Sequence, residues 1–218
     1  MQVLKESTSY RLSLKDKILQ VAMKAFLEHG VKAVKMDDIA SQVGISKRTL
    51  YEIYDDKEEL LFQGVSYYDG QREKQFRDFV KKADNVMDII LELYRLKVNE
   101  TRSVTPLFYV DIRKYPKILR YMEEKHERSR GELSKFFLRG LHEGYFRKDI
   151  NYQLAVHLFD AIGQYIMKHM LIETFSFEEL FNNMLLVSLR GLCTMKGIKV
   201  MDEAVASYGR TCRSFRIP

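Results

Sequence analysis

The chain has 218 residues with 36 basic and 30 acidic side chains, which gives a formal net charge of +6. That length suffices for one large domain or two modest ones with a buried core. It contains no run near the ~18 apolar residues of a membrane span and no apolar core of a signal peptide. We therefore expect a cytoplasmic protein without a membrane partner. Three prolines, eleven glycines and no tryptophan favour an all-α fold.

Sequence patterns of catalytic and metal-binding sites are missing. The chain has no H-E-x-x-H motif, phosphate-binding loop, dinucleotide fingerprint or nucleophile elbow. Glu123 and His126 form one E-x-x-H pair, whereas a di-iron bundle needs two such pairs and further carboxylates. Cys193 and Cys212 have neither the spacing of a zinc site nor the number of a disulfide framework, so we expect free thiols. The sequence predicts a protein that is not an enzyme and that needs no metal or cofactor.

The first predicted helix has one apolar stripe. Residues 1–12 are interpreted as a frayed arm that precedes this helix, which is predicted to begin at Ser13 or Leu14. Its stripe contains Leu14, Ile18, Ala22, Ala25 and Phe26. Gly30 is expected to close it.

Residues 36–61 are predicted to form a short helix, a tight turn, a second short helix and the start of a third. Gly44 can adopt the positive φ that often follows a helix end. Ser46 can cap the next helix through its hydroxyl group. Leu50 and Tyr54 point toward the core, so the first turn of that helix faces outward.

This outward turn carries Lys47, Arg48, Thr49 and Tyr51. A cation, a guanidinium, a hydroxyl and a phenol suit the base edges and phosphates of a DNA major groove. Residues 1–62 contain ten basic and ten acidic side chains, so the DNA hypothesis rests on the placement of the charges and not on their sum. The alternative is an ordinary helical hairpin with a solvated basic face.

Residues 14–61 resemble the DNA-binding domain of the tetracycline-repressor-like (TetR) family of bacterial transcriptional regulators. The resemblance is carried by KDKILQVAMKAFLEHG, DDIASQVGISKRTLYEIY and DDKEELL. It implies that the outward turn faces DNA and that Lys57 contacts a phosphate. Two residues depart from the family pattern: Lys35 stands where a capping threonine is usual, and Tyr54 stands where phenylalanine is usual. Because a lysine opposes the helix dipole there, we expect the Lys35 ammonium to contact a phosphate. The predicted DNA-binding residues are Lys35, Ser46, Lys47, Arg48, Thr49, Tyr51 and Lys57.

The rest of the chain is predicted to be a helical regulatory domain. We place the DNA-binding domain at residues 1–62 and an effector-binding and dimerisation domain at residues 63–218. The fourth helix is predicted to run without a break to about residue 81, so that it can transmit a tilt to the DNA-binding part. A pocket for a small molecule combines apolar walls with a few polar groups. The pocket candidates are Tyr67, Tyr94, Phe108, Tyr109, Phe159, Tyr165, His157 and His169, although core packing is the alternative for each.

Two C-terminal helices, predicted at residues 153–173 and 177–195, are apolar on more than one face. Such helices need cover on more than one side, which a second copy can supply as a four-helix bundle. The resemblance implies the same homodimer. The candidate interface residues are Ile162, Ile166, Phe181, Leu185, Leu189 and Leu192. A dimer places two recognition helices about one DNA turn, ~34 Å, or somewhat more apart and thus predicts a palindromic operator.

We interpret the chain as a homodimeric, all-α transcriptional regulator, with repression favoured over activation, that a small-molecule effector releases from double-stranded DNA. Two alternatives stay open. One is a DNA-binding regulator that senses a protein partner and no small molecule. The other is a helical module that binds protein and not DNA.

Overall fold

The protein is all-α in this computed structural model, which describes the backbone of residues 2–203 and the side chains of residues 12–100 and 103–203. Its α-helices are α1 (Gln2–His29), α2 (Met36–Val43), α3 (Lys47–Tyr51), α4 (Lys57–Lys82), α5 (Val86–Ser103), α6 (Pro106–Ile112), α7 (Pro116–His142), α8 (Tyr152–Lys168), α9 (Phe177–Leu180) and α10 (Val187–Leu192). A π-helical turn, Phe181–Leu186, joins the last two. Across the described residues, none of the helices is long and apolar enough to cross a membrane.

Helix α1 is longer than the sequence predicts. It begins at Gln2, so the expectation of a frayed arm over residues 1–12 is wrong for the backbone. Residues 2–12 contain no proline or glycine to stop a helix that extends toward the N-terminus from Ser13. Cys212 lies outside the described residues. Cys193 is a buried free thiol whose S–H donates to the Leu189 carbonyl at 3.3 Å, and burial raises its pKa to about 11.

The described part of the chain divides into two compact units. One contains the described residues up to Lys74 together with Arg102–Glu124, and the other contains Gln75–Thr101 and the described residues from Lys125 onward. The predicted boundary at residue 62 differs from this division. The reason is that α6 and the start of α7, although distant in sequence, pack into the same core as the helix-turn-helix.

The core of the first unit is built around α1. Ile18, Ala22 and Phe26 of α1 are completely buried. Apolar residues from α2, α3, α6 and the start of α7 pack in the same cluster, including Ile39, Leu50, Phe108, Ile112 and Ile118.

A buried carboxylate fastens α6 beside the helix-turn-helix. Asp111 of α6 accepts the backbone N–H of Lys32 at 2.7 Å and the Lys114 ammonium at 3.1 Å. Burial alone would raise the pKa of Asp111, but these two donors hold it below its usual range. At the N-cap of α6, the Thr105 N–H donates to the Leu27 carbonyl at 2.8 Å. The loop between α1 and α2 therefore depends on a residue 79 positions away.

The second unit has an aromatic core between α7 and α8. Phe137 and Phe146 are buried with ring centroids 5.6 Å apart, and Tyr152 and Phe159 lie 5.1 and 5.8 Å from Phe137. Gly140 permits this packing, because a Cβ atom there would lie 2.1 Å from the Phe146 ring.

Arg139 of α7 and Glu143, which directly follows this helix, fix the turn between α4 and α5. Arg139 donates to the carbonyls of Val80 and Ala83 at 3.0 and 2.5 Å, at the end of α4. Its Nε–H also donates to Glu143 at 2.6 Å. The other oxygen of Glu143 accepts the Val86 N–H at 2.8 Å, at the start of α5. The pair thereby satisfies backbone groups at both helix ends that have no partner within their helices.

We expect Asp111→Asn to destabilise the protein by about 1–3 kcal/mol at pH 7, because the N–H of Lys32 loses a charged acceptor in a buried place. Since the folded-state pKa of Asp111 is depressed, the carboxylate's contribution is present above its unfolded pKa near ~3.9 and is lost as pH falls through the folded value. Urea unfolding at pH 7 and below pH 4 should therefore show a difference that shrinks with acid.

Lys114→Ala is the matched control. It removes the exposed partner of the same carboxylate and should cost less than about 1 kcal/mol. Equal urea midpoints for Asp111→Asn and the parent at pH 7 would contradict the anchoring role.

Candidate nucleic-acid interface

The turn between α2 and α3 has the geometry that the sequence predicts. Gly44 adopts φ 80°, and its N–H donates to the carbonyls of Ala40 and Ser41 at 3.0 and 3.1 Å. Ser46 caps α3 by accepting the Thr49 N–H at 3.0 Å, and the two hydroxyl oxygens lie 2.8 Å apart. The Ser46 hydroxyl therefore serves as the N-cap of α3, and its contact with DNA stays a prediction.

Helix α3 is attached to the core through Leu50, which is completely buried, and Tyr54 follows it at 1% exposure. Burial raises the pKa of Tyr54 to about 12. Within the described residues, the Tyr54 hydroxyl group has no hydrogen-bond partner. The ring therefore packs as a phenylalanine would. Lys47, Arg48 and Tyr51 remain exposed on the opposite side, and Thr49 is half-buried.

Both cations of α3 form ion pairs at the protein surface. The Lys47 ammonium lies 2.8 and 3.0 Å from the two carboxylate oxygens of Asp37, and the hydrogen bond and charge of Asp37 raise the pKa of Lys47. The Arg48 Nε donates to Glu52 at 2.9 Å, and the Arg48 side chain is 89% exposed. The carboxylates of Asp37 and Glu52 therefore belong to the same surface as the two cations.

Lys35 and Lys57 have different surroundings. Lys35 is exposed at the start of α2, where its backbone N–H donates to Asp38 at 3.1 Å. Lys57 is half-buried, and its ammonium donates to the Val34 carbonyl at 2.7 Å. Burial lowers the pKa of Lys57. Lys57 therefore fixes the residue that precedes Lys35, and one of its N–H groups is already used within the protein.

Sequence reasoning missed three residues that shape this surface: Asp37, Glu52 and Asp111. The spacing of Arg48 and Glu52, four residues apart on one helix, is a signal for an ion pair. An acid within the apolar run of α6 is a weaker signal for Asp111. The pairing of Asp37 with Lys47 joins two helices and has no local signal.

The predicted pocket residues divide between the two units. Phe108 and Tyr109 belong to the core of the first unit, where Phe108 is buried, which favours core packing for Phe108. Tyr67 is exposed beside Tyr68. In the second unit, Tyr94 is buried and Phe159 packs on Phe137. The three candidates near or on the outer side of α8 are exposed, namely His157, Tyr165 and His169.

Three of the predicted dimer residues face inward. Phe181, Leu189 and Leu192 are buried in the core of the second unit, so they pack within one chain, and their contact with a second copy stays a prediction. Ile162, Ile166 and Leu185 are half-buried. The exposed apolar stripe on α8 consists instead of Leu154, Leu158, Ala161 and Tyr165, and α10 exposes Val187 and Gly191.

Comparison with known proteins agrees with this geometry. The model of the family described as bacterial regulatory proteins, tetR family, matches residues 18–63. The transcriptional repressor KstR2 of Mycobacterium tuberculosis is 25% identical over 149 residues, which are 66% of this chain and 74% of KstR2.

Two solved structures share the fold. A TetR-family regulator from Agrobacterium tumefaciens superposes with a TM-score of 0.65 at 18% identity, over 84% of this chain and 100% of that protein. A regulator from Saccharomonospora viridis in complex with choline has a TM-score of 0.64 at 16% identity, over 83% and 97% of the two chains. These relatives are regulators and not enzymes. The helix-turn-helix, its outward cations and these matches support a DNA-binding transcriptional regulator similar to those of the TetR family, whose model matches residues 18–63.

Proposed function

We propose that the chain represses transcription by binding a palindromic operator as a homodimer, and that a small-molecule effector releases it. The observation that carries the proposal is a recognition helix, α3, that presents Lys47 and Arg48 outward beside the half-buried Thr49, while Leu50 holds the helix in the core. Repression rather than activation is supported by the name of the relative KstR2.

Within this proposal, some side chains of α3 and its neighbours contact base edges and others contact phosphates. Lys47, Arg48 and Thr49 read base edges, because they lie on the first turns of a helix that fits the major groove. Lys35, Tyr51 and Lys57 contact phosphates, which fix the register of the protein on DNA. Ser46 keeps the first turn of α3 in place through the Thr49 N–H.

The homodimer is supported by the exposed stripe of α8. Leu154, Leu158, Ala161 and Tyr165 follow one another at intervals of four, three and four residues, which places them on one face of the helix. A monomer leaves this face in water, and a twofold partner can cover it with α8 and α10 of both chains. Two recognition helices related by a twofold axis then require a palindromic site.

Effector binding is supported by an aromatic group in the second unit and by the choline complex of the S. viridis protein. The Tyr94 and Phe181 rings lie 4.7 Å apart, and Phe177 lies 5.7 Å from Phe181. The Tyr94 hydroxyl donates to Glu178 at 3.1 Å. Aromatic faces and a carboxylate attract organic cations, so we propose an organic cation as the class of effector. Of the predicted pocket residues, Tyr94 has the surroundings that fit this class.

The proposal is tested by the binding of the purified protein to the intergenic DNA beside its own coding region, across a salt series. We expect protection of a palindrome, with an affinity that falls steeply with salt because phosphate contacts release counterions. Equal, weak binding to every duplex at that locus, followed by failure to enrich any sequence from a random pool, would contradict it.

Arg48→Ala and Lys57→Ala should separate base reading from phosphate contact. We expect Arg48→Ala to cost about 1–3 kcal/mol on the operator and to relax preference at one base position. Lys57→Ala should weaken all sequences alike and reduce the salt slope by about one. Because Lys57 also donates to Val34, thermal unfolding of each variant is the control for folding. Unchanged operator affinity in both variants would remove these residues from the interface.

Leu154→Asp should dissociate the dimer, because it places a charge in the apolar stripe of α8. Leu138→Asp on α7 is the matched control, since Leu138 is 64% exposed and Leu154 is 66% exposed. Light scattering after size exclusion should report a monomer for Leu154→Asp and a dimer for Leu138→Asp. A dimer in both cases would place the interface elsewhere.

Choline should release the protein from fluorescently labelled operator DNA if the effector is an organic cation, whereas its uncharged isostere 3,3-dimethylbutanol should not. The expected coupling is about 1–3 kcal/mol, or about 5- to 150-fold in operator affinity. Anisotropy of the labelled DNA reports the release. No release by choline or by other quaternary ammonium ions would argue against this class and favour the regulator that senses no such molecule.

A further inference from the structure

We propose that Asp37 is a positioning residue of the DNA interface, which holds Lys47 in place and withholds its ammonium from the phosphates of arbitrary sequences. This inference rests on the proposed function, because it concerns the residues that read DNA. It assigns a role to a carboxylate on a surface that binds a polyanion.

The Asp37–Lys47 ion pair connects the two helices of the motif. Asp37 is the second residue of α2, and Lys47 is the first residue of α3, so the ion pair joins the two helices of the motif. Both carboxylate oxygens of Asp37 lie within 3.0 Å of the ammonium. The ammonium also lies 6.0 Å from the centroid of the Tyr51 ring. A flexible lysine is thereby restricted to one direction.

The acidic and basic side chains of the DNA-binding domain balance in number. With ten basic and ten acidic side chains in residues 1–62, the domain has little general attraction for DNA. Arg48, the other cation of α3, is also paired with a carboxylate, that of Glu52. Non-specific binding is supplied almost entirely by contacts between cations and phosphates. Pairing both cations of the recognition helix therefore reduces the binding that does not depend on sequence.

The ion pair leaves part of the hydrogen-bonding capacity of the Lys47 ammonium unused. An ammonium has three N–H donors, and Asp37 uses those that point toward α2. A remaining donor can meet a base edge at the place that α3 defines, whereas a released Lys47 could follow the nearest phosphate on any duplex. The carboxylate thus favours sequences that offer an acceptor where Lys47 is held, and it raises the ratio of operator binding to non-specific binding.

Asp37→Asn tests this role with a random-sequence duplex and the operator. On the random duplex we expect the affinity to rise about two- to five-fold, the range that corresponds to a surface ion pair. The slope of log affinity against log salt should steepen by about 0.9, because one more phosphate is neutralised. On the operator the affinity should rise less, so the ratio of operator to random binding should fall.

Three further variants make the result specific. Glu28→Gln changes the net charge equally at an exposed site on α1 and should leave the salt slope unchanged. In the Lys47→Ala background, Asp37→Asn should no longer steepen the slope. Asp37→Glu keeps the charge and should restore the behaviour of the parent. Thermal unfolding confirms that each variant is folded.

If the slope of log affinity against log salt on the random duplex is the same for Asp37→Asn and Glu28→Gln, the inference is wrong. The proposed function remains intact in that case as long as the parent binds the operator. Steepening that persists in the Lys47→Ala background would also overturn the inference, because the effect would then not pass through Lys47. Failure of the parent to bind any duplex is a different result, and it would refute the proposed function itself.

Discussion

The recognition helix cannot exist without the core beneath it. Helix α3 has five residues, far fewer than the ~12–15 that an isolated helix needs to be even marginally stable in water. Its stability comes from complete burial of Leu50 and near-complete burial of Tyr54, and from the cap of Ser46 on the Thr49 N–H. Any change that loosens this small core loosens the side chains that we propose to face DNA. For the same reason, those side chains are presented with little freedom of the backbone, which lowers the entropy that binding must remove.

The same core connects α6 to the helix-turn-helix. Phe108 and Ile112 of α6 are buried with α1, and Asp111 orders the loop that leads into α2. A buried carboxylate is unfavourable unless hydrogen-bonded, so Asp111 has one preferred arrangement, in which it accepts the Lys32 N–H. That loop also contains Val34, whose carbonyl accepts the Lys57 ammonium. The start of α2 is therefore held from two sides, by a carboxylate of α6 and by an ammonium of α4.

Features of the protein that depend on neighbouring residues could be predicted from sequence, and those that depend on distant contacts could not. The positive φ of Gly44 and the cap of Ser46 follow from residues within four positions of each other. The apolar faces of α8 and α10 were also evident, but not which face is buried. Leu189 and Leu192 are buried because they pack in the core of the second unit. Leu154 is not part of this core and is 66% exposed. Phe108 was assigned to a pocket because its type suits one, whereas the packing of α6 on α1 decides its place.

Charge placement, rather than net charge, determines how selective such a surface can be. A strongly basic domain gains affinity on every duplex, and this affinity falls with salt for all sequences alike. A neutral domain depends on the few cations that reach DNA and on what those cations touch when DNA is absent. Each partner carboxylate lowers the gain from an arbitrary phosphate, because the ion pair must be exchanged and a negative charge remains near the backbone. Base edges that match the held position of the cation do not require this exchange. Cations that are paired with carboxylates on a recognition helix therefore lower the affinity for duplexes of arbitrary sequence and improve the discrimination between sequences.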